Sequence, residues 1–139
     1  MSARPHQASC VAIDGRAVLI EGPSGGGKSS LALTLIDRGA MLVGDDGVLL
    51  EQRRGRLWAL PPPNIAGLLE IRNVGLARMA TVTAPVALVL RLDPGAPRHI
   101  EAPEQLALAG STLPMIRLWP DTPALALRAE WALTMHGLP

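Results

Sequence analysis

Gly22-Pro23-Ser24-Gly25-Gly26-Gly27-Lys28-Ser29 satisfies the pattern Gly, any four residues, Gly-Lys-Ser/Thr without a mismatch, and the rest of the chain can be read outward from it. Glycines let the backbone curl into a nest whose N–H groups point inward, and the start of the following helix adds partial positive charge. Phosphate oxygens then meet donors instead of carbonyls. In such a loop Lys28 reaches the β- and γ-phosphates of a nucleoside triphosphate, and the Ser29 hydroxyl becomes a ligand of the accompanying magnesium ion. The expected cradle is Gly22, Pro23, Ser24, Gly25, Gly26, Gly27, Lys28 and Ser29, with Ser30 following in the first helical turn.

The flanks fit this reading. Ala17-Val18-Leu19-Ile20 is a short apolar run of strand type, and Ser30-Leu31-Ala32-Leu33-Thr34-Leu35-Ile36 carries apolar residues at helical spacing. Strand, glycine loop and helix is the order the pattern requires. Lys28 is also the only lysine among 13 basic residues, so a chain that otherwise uses arginine places its single lysine here. The alternative is a glycine-rich turn that binds nothing.

With 139 residues and a mass of 14.6 kDa the chain has the length of one domain, able to bury about two-thirds of its unfolded surface. Hydrophobic residues make up 48%, yet there is no Phe or Tyr and the aromatics are Trp58, Trp119 and Trp131. The core is therefore expected to be aliphatic, with apolar surface left over for a subunit interface. A net charge of +1 and few aromatics provide neither the electrostatic footprint nor the stacking platform of a nucleic-acid binder. Arg53-Arg54-Gly55-Arg56 lies between strand-like runs and is read as a hairpin tip. Cys10 is the sole cysteine, which excludes an intramolecular disulfide and a cysteine-based zinc site. No apolar run approaches the roughly 18 residues of a membrane span, and no signal segment is evident. A cytoplasmic protein without membrane contact is expected.

In chain order, Ser9 to Ile13 and Ala17 to Ile20 flank Asp14-Gly15, a type I′ hairpin signal. A helix from Lys28 to about Arg38 stops at Gly39. Met41-Leu42-Val43 begins a strand that ends at Gly44-Asp45-Asp46-Gly47, and Val48 to Leu50 with Leu57 to Leu60 suggests a hairpin over the arginine turn. Pro61-Pro62-Pro63 forces an extended connection. Val86 to Leu90, bounded by Pro85 and Asp93-Pro94-Gly95, is the best buried-strand candidate. Residues 103 to 109 are expected to form a short helix, Pro114 to Leu118 a last strand, and Thr122 to about His136 a terminal helix. The class is α/β, with many hairpins for few helices.

Two further groups narrow the chemistry. Asp45 and Asp46 close the strand after the glycine-loop helix, from where carboxylates can face the γ-phosphate or its metal. Adjacent side chains leave a strand on opposite faces, so one of the two is expected to do so; plain turn chemistry is the alternative. Glu70 and Arg72, one residue apart, project from the same side if the stretch is extended. They either complete a metal site and neutralise phosphoryl charge or form a surface ion pair.

Taken together, the glycine loop, Arg38-Gly39, Leu42-Val43-Gly44-Asp45-Asp46 and Leu68-Leu69-Glu70-Ile71-Arg72-Asn73-Val74-Gly75 resemble the ordered motifs of the bacterial HPr kinase/phosphorylase catalytic domain, over roughly residues 8 to 93. The resemblance is closest to the short single-domain forms, so residues 1–139 are expected to be one catalytic domain without an N-terminal regulatory domain. It implies a phosphate-loop fold related to phosphoenolpyruvate carboxykinase. It also implies an ATP- and magnesium-dependent serine kinase acting on the phosphocarrier protein HPr or a paralogue. Carried over by position, Lys28 contacts the phosphates, Ser29 and Glu70 hold magnesium with Asp45 beside them, Asp46 is the general base, and Arg72 assists. The family's typical hexamer implies a homo-oligomer.

The chain departs from that pattern at several places. Ser30 stands where an acidic residue usually follows the loop. His6 is one residue out of register with a family histidine, and Arg98 is offset from a family arginine, with Glu101 nearer its place. Leu113 to Leu118 lacks the segment associated with the reverse reaction, so the resemblance does not extend to phosphorylase activity. A catalytically degenerate nucleotide-binding regulatory module remains one alternative. Another is a small-molecule kinase or ATPase with Asp45 or Asp93 positioning the metal.

Overall fold

Among residues 3–139, which the computed structural model describes, the chain starts with a short strand, Arg4–His6 (β1). Its pairing with Val48–Arg53 (β5) sets Pro5 opposite Leu49. The sequence reading had no strand here; proline is tolerated because β1 lies at the edge of the sheet. Ser9–Ile13 (β2) and Arg16–Glu21 (β3) form the expected hairpin. Asp14 (φ 49°) and Gly15 (φ 81°) both take the left-handed conformation that a type I′ turn demands.

Helix α1 runs Lys28–Asp37, and Gly39 at φ 110° ends it. Met41–Gly44 (β4) follows, then β5 and Arg56–Leu60 (β6), joined over Arg54 and Gly55 at φ 51° and 79°. The arginine cluster is thus a hairpin tip. Leu68–Ile71 (β7) and Gly75–Arg78 (β8) make a separate two-stranded ribbon. Ala84–Leu92 (β9) is longer than expected, and Pro85 lies within it instead of bounding it.

The short helix expected over residues 103 to 109 is not formed. Glu104–Leu108 (β10) is a strand antiparallel to Ser111–Leu118 (β11). Ala109 (φ 49°) and Gly110 (φ 86°) supply another left-handed turn, and exposure alternates from Gln105 to Leu108. A five-residue stretch that can pair with a neighbouring strand gains a ladder, whereas a helix of that length is marginal. The last element is α2, Leu125–His136.

The large sheet runs β1-β5-β6-β9-β3-β2-β4, with β11 also on β9 and β10 on β11. β9 serves three partners: β3 (parallel), β6 (antiparallel, at its start) and β11 (parallel, at its end). Period-two alternation divides the core between the two faces. Val18, Ile20, Leu88 and Leu90 pack against α1 and α2 through Leu31, Leu35, Ala129 and Leu133. Cys10, Leu19, Val86 and Val89 face Val48, Leu50, Leu57 and Met115 inside the curled sheet. Both clusters are aliphatic, as the composition requires.

β2 is antiparallel to both β3 and β4, so these two run the same way, and β9 is parallel to β3. The C-terminal ends of β3, β4 and β9 therefore meet on one edge, together with the start of β2. Open α/β sheets present their ligand sites there. Among the described residues no helix is long and apolar enough to cross a membrane.

Candidate functional site

The chain leaves β3 at that edge and turns at once. Gly26 N–H donates to Pro23 O at 2.9 Å, and a Cβ on Gly26 would stand 2.8 Å from the same oxygen. Gly25 (φ 76°) and Gly27 (φ 97°) hold left-handed conformations costly for other residues. Gly27 also serves as N-cap of α1, without a side-chain cap and with no acidic residue in the first turn. The first helical N–H groups are thus unclaimed by side chains, and they fit an anion. Lys28 is largely buried, and its Nζ donates to Gly22 O at 2.8 Å. Its charge is held over the loop.

Asp45 follows β4 and is 9% exposed. Its Oδ1 accepts hydrogen bonds from Ser9 Oγ at 2.9 Å and Ser29 Oγ at 2.6 Å, and its Oδ2 accepts one from the Glu70 N–H at 3.2 Å. Cys10 pairs with Gly44, so the residue before one lies beside the residue after the other; register alone brings Ser9 to Asp45. Ser9 Oγ in turn accepts the Asp46 N–H at 3.3 Å. Asp46 sits at φ 58° and is exposed, and among the described residues its carboxylate takes no hydrogen bond. The two neighbouring aspartates therefore differ in kind. Asp45 is tied to the hydroxyl of Ser29, while Asp46 is open to whatever approaches.

Glu70 lies on β7, and Arg72 lies past its end, in the turn with Asn73 at φ 68°. The extended geometry that would set both on one face stops between them. Arg72 reaches the glycine loop: its Nη2 lies 3.7 Å from where a Cβ on Gly25 would stand. Glu70 joins the site through its backbone N–H, and its side chain is exposed. Lys28, Ser29, Asp45 and Arg72 thus converge on the loop, with Asp46 adjoining. Among the described residues no three His, Cys, Asp or Glu side chains form a metal cage. Magnesium needs none, since one or two carboxylates plus phosphate oxygens and water are its usual shell. Ser29 and Asp45, in contact at the loop, are oxygen donors of that kind, and Glu70 is held beside them through its backbone N–H.

Three residues of this edge were not singled out as site residues from the sequence. Ser9 is fully buried, and only its cross-strand position reveals it. Glu21, directly before the loop, accepts from Arg91 Nη2 at 2.8 Å and contacts His6 Nε2 at 2.8 Å. The hydrogen bond to His6, followed by those with Arg91, holds its carboxyl below the usual range against the opposing effect of burial. His6 is thus tied through Glu21 to the base of the loop. Arg98 lines a separate groove with Trp119 and Trp131, and Glu101 is an exposed loop residue. The alternative metal carboxylate, Asp93, is engaged elsewhere, accepting from Gly95 N–H at 2.8 Å and Arg117 Nη1 at 3.2 Å.

The model of the HPr serine kinase C-terminal domain matches residues 2–84. The chain is 47% identical over 73 residues to an HPr kinase/phosphorylase of Shouchella clausii, a stretch covering 52% of this chain and 24% of that protein. It is 49% identical over 67 residues to one of Streptococcus thermophilus, covering 48% and 22% respectively. These matches span about a quarter of the length of those relatives. The solved structure of the HPr(Ser) kinase/phosphatase from Coxiella burnetii superposes with a TM-score of 0.83 at 28% identity, covering 94% of this chain and 88% of that one. The hairpin-rich α/β fold is that of the HPr kinase C-terminal domain.

Proposed function

The chain belongs to the HPr serine kinase C-terminal domain family, and from that premise we propose that it is an ATP- and magnesium-dependent kinase for a serine of HPr or a related phosphocarrier. The observation that carries this reading is the pairing of two unlike aspartates at one glycine loop: Asp45 bonded to Ser29 and Asp46 free beside it. A nucleotide cradle alone leaves the acceptor open; an exposed carboxylate next to it serves an incoming hydroxyl.

In this mechanism the loop N–H groups and Lys28 fix the triphosphate, and Arg72 offsets charge on the transferring group. Magnesium, when bound, neutralises the phosphate oxygens; Ser29, Asp45 and Glu70 are the residues that would hold it. Asp46 orients the substrate hydroxyl and takes its proton as the oxygen attacks the γ-phosphorus, the bond from that phosphorus to the bridging oxygen breaks, and the nucleoside diphosphate leaves. Ser9 keeps Asp45 in place through its buried hydroxyl. Catalysis here is mostly positioning and charge stabilisation, so loss of Lys28 lowers turnover beyond what weaker binding explains.

The same proposal includes a homo-oligomer. Leu127, Trp131 and Met135 follow one another at four-residue spacing on α2 and are 47%, 63% and 68% exposed, a stripe that assembly would cover.

The test is mass spectrometry of HPr from the same organism after incubation with this protein, ATP and magnesium. A phosphoserine on HPr is expected. The regulatory-module reading draws on Ser30 and on a first helical turn without an acidic residue. Tight ATP binding with no transfer to HPr would favour it, and label on a small molecule alone would favour a metabolite kinase.

A further inference from the structure

The chain has three tryptophans, and two of them, Trp119 and Trp131, stand in one groove beside α2. Arg128, Trp131, Ala132, Met135 and His136 recur at three- and four-residue spacing, which puts them on one face of that helix. Ile116 and Leu118 of β11 form the floor, and residues 96–100 form the opposite wall. The space between them is about 560 Å³, within the range of small-molecule sites. All of it lies beyond residues 2–84, the part matched by the family model.

The groove collects cations and no carboxylate. Arg98, His99, Arg117, Arg128 and His136 line it, without an Asp or Glu. Arg117 is already matched, by Asp93 at 3.2 Å and Glu104 at 2.7 Å. Arg98 and Arg128 are exposed and, among the described residues, have no carboxylate partner. The Arg128 guanidinium lies 5.4 Å from the centre of the Trp119 ring, whose Nε1 donates to Ala96 O at 2.6 Å. An arginine over an aromatic ring is attracted through the ring's face and keeps N–H groups for an acceptor.

These features select a ligand with two unlike parts. A neutral apolar molecule would cover tryptophan and aliphatic surface but strip water from two unmatched guanidinium groups. A bare inorganic anion would pair with the arginines and leave the apolar surface wet. An organic anion with an apolar body satisfies both, its body against Trp119, Trp131 and the floor of β11, its head on Arg98 and Arg128. We propose that the groove binds a small amphiphilic anion, an aromatic or branched aliphatic body bearing one carboxylate, sulfonate or phosphate, at a site separate from the glycine loop. Trp131 and Met135 also belong to the exposed stripe on α2, so the site opens at the margin of that face.

The test is fluorescence titration of the full chain with anilinonaphthalene sulfonate and with phenylnaphthylamine, which has the same ring system without the charge. The wild type is expected to bind the sulfonate saturably, one per chain, and about tenfold or more tightly than the amine. Arg98→Ala and Arg128→Ala change exposed residues on opposite walls, so one remains informative if thermal melting shows that the other does not fold. Each folded variant should bind the sulfonate about tenfold more weakly and the amine within about twofold of the wild type. Unchanged sulfonate affinity in a folded variant overturns the proposal, as does equal affinity of the wild type for the two probes. Displacement of the sulfonate by ATP with magnesium would put the probe at the glycine loop and overturn it as well. Release of the probe as protein concentration rises would assign the groove to contacts between copies of the chain, against the proposal.

Discussion

Ser29 Oγ donates a 2.6 Å hydrogen bond to Asp45 Oδ1, joining the glycine loop to the end of the strand that follows its helix. Residues 16 apart in sequence, on two separate elements, are brought to contact by the β3-β2-β4 order of the sheet. The same oxygen accepts from Ser9, so β2 is part of the arrangement. Every expectation about the site depends on this edge.

Asp46 is the exposed member of the pair, and Asp46→Asn should reduce phosphorylation of HPr by about 10²- to 10⁴-fold, the range for a general base. Nucleotide affinity should be nearly unchanged, because no hydrogen bond of the loop involves that carboxylate. Steady-state turnover beside equilibrium ATP binding checks both halves. Turnover near wild type would remove Asp46 from the mechanism.

Ser9→Ala takes one donor from buried Asp45 and the acceptor from the Asp46 N–H. Urea denaturation should show a loss of about 1–3 kcal/mol, the usual cost of leaving buried polar partners unsatisfied. A change inside experimental error would mean that water replaces the hydroxyl.

Glu21 is held below the usual carboxylate range by His6 first and Arg91 second. A carboxylate whose folded pKa is depressed contributes stability that is present above its unfolded pKa, about 4.3 for glutamate, and lost as pH falls through the lower folded value. Melting temperatures of wild type and Glu21→Gln should therefore differ by a constant amount above about pH 5 and converge as the solution is acidified. Curves that stay parallel to low pH would contradict the assignment.

Cys10 is fully buried on β2, and burial pushes its thiol pKa well up. The thiolate is the reactive form, so the native protein should resist a thiol reagent such as dithiobis-nitrobenzoate and react fully once unfolded in guanidinium. Rapid labelling of the folded chain would show that β2 opens locally.

The stripe on α2 should matter for assembly. Trp131→Glu places charge at the centre of that face, at a position 63% exposed, where the cost to the folded chain is small. Light scattering is expected to report an oligomer for the wild type and a smaller species for the variant. A wild-type monomer would contradict the oligomer proposal.

Much of this was legible in the chain because it is local. Asp14-Gly15 announces a type I′ turn through the dihedral angles those two residues tolerate, and the glycines of residues 22–27 announce a loop that bends around an anion. The short, nearly continuous apolar runs of β2, β3 and β9 announce strands buried on both faces. The same local reasoning misread residues 103–109, where apolar spacing is ambiguous over so short a stretch and pairing with β11 decides the outcome. It also had no means to detect β1, whose three residues are a strand only because β5 lies beside them.

The sequence by itself determined the glycine cradle, its lysine, the hairpin turns and the aliphatic core, since each depends on the conformational range or transfer free energy of residues close together in the chain. Only the tertiary structure decided which aspartate is buried on Ser29 and which faces outward, that Ser9 supports the first, and that Glu21 is gripped by His6 and Arg91 at the base of the loop. Those relationships are distances between strands, and they are set by sheet order and register. A cross-strand contact is fixed when several distant segments bury their apolar faces together, and no short window of sequence contains all of them.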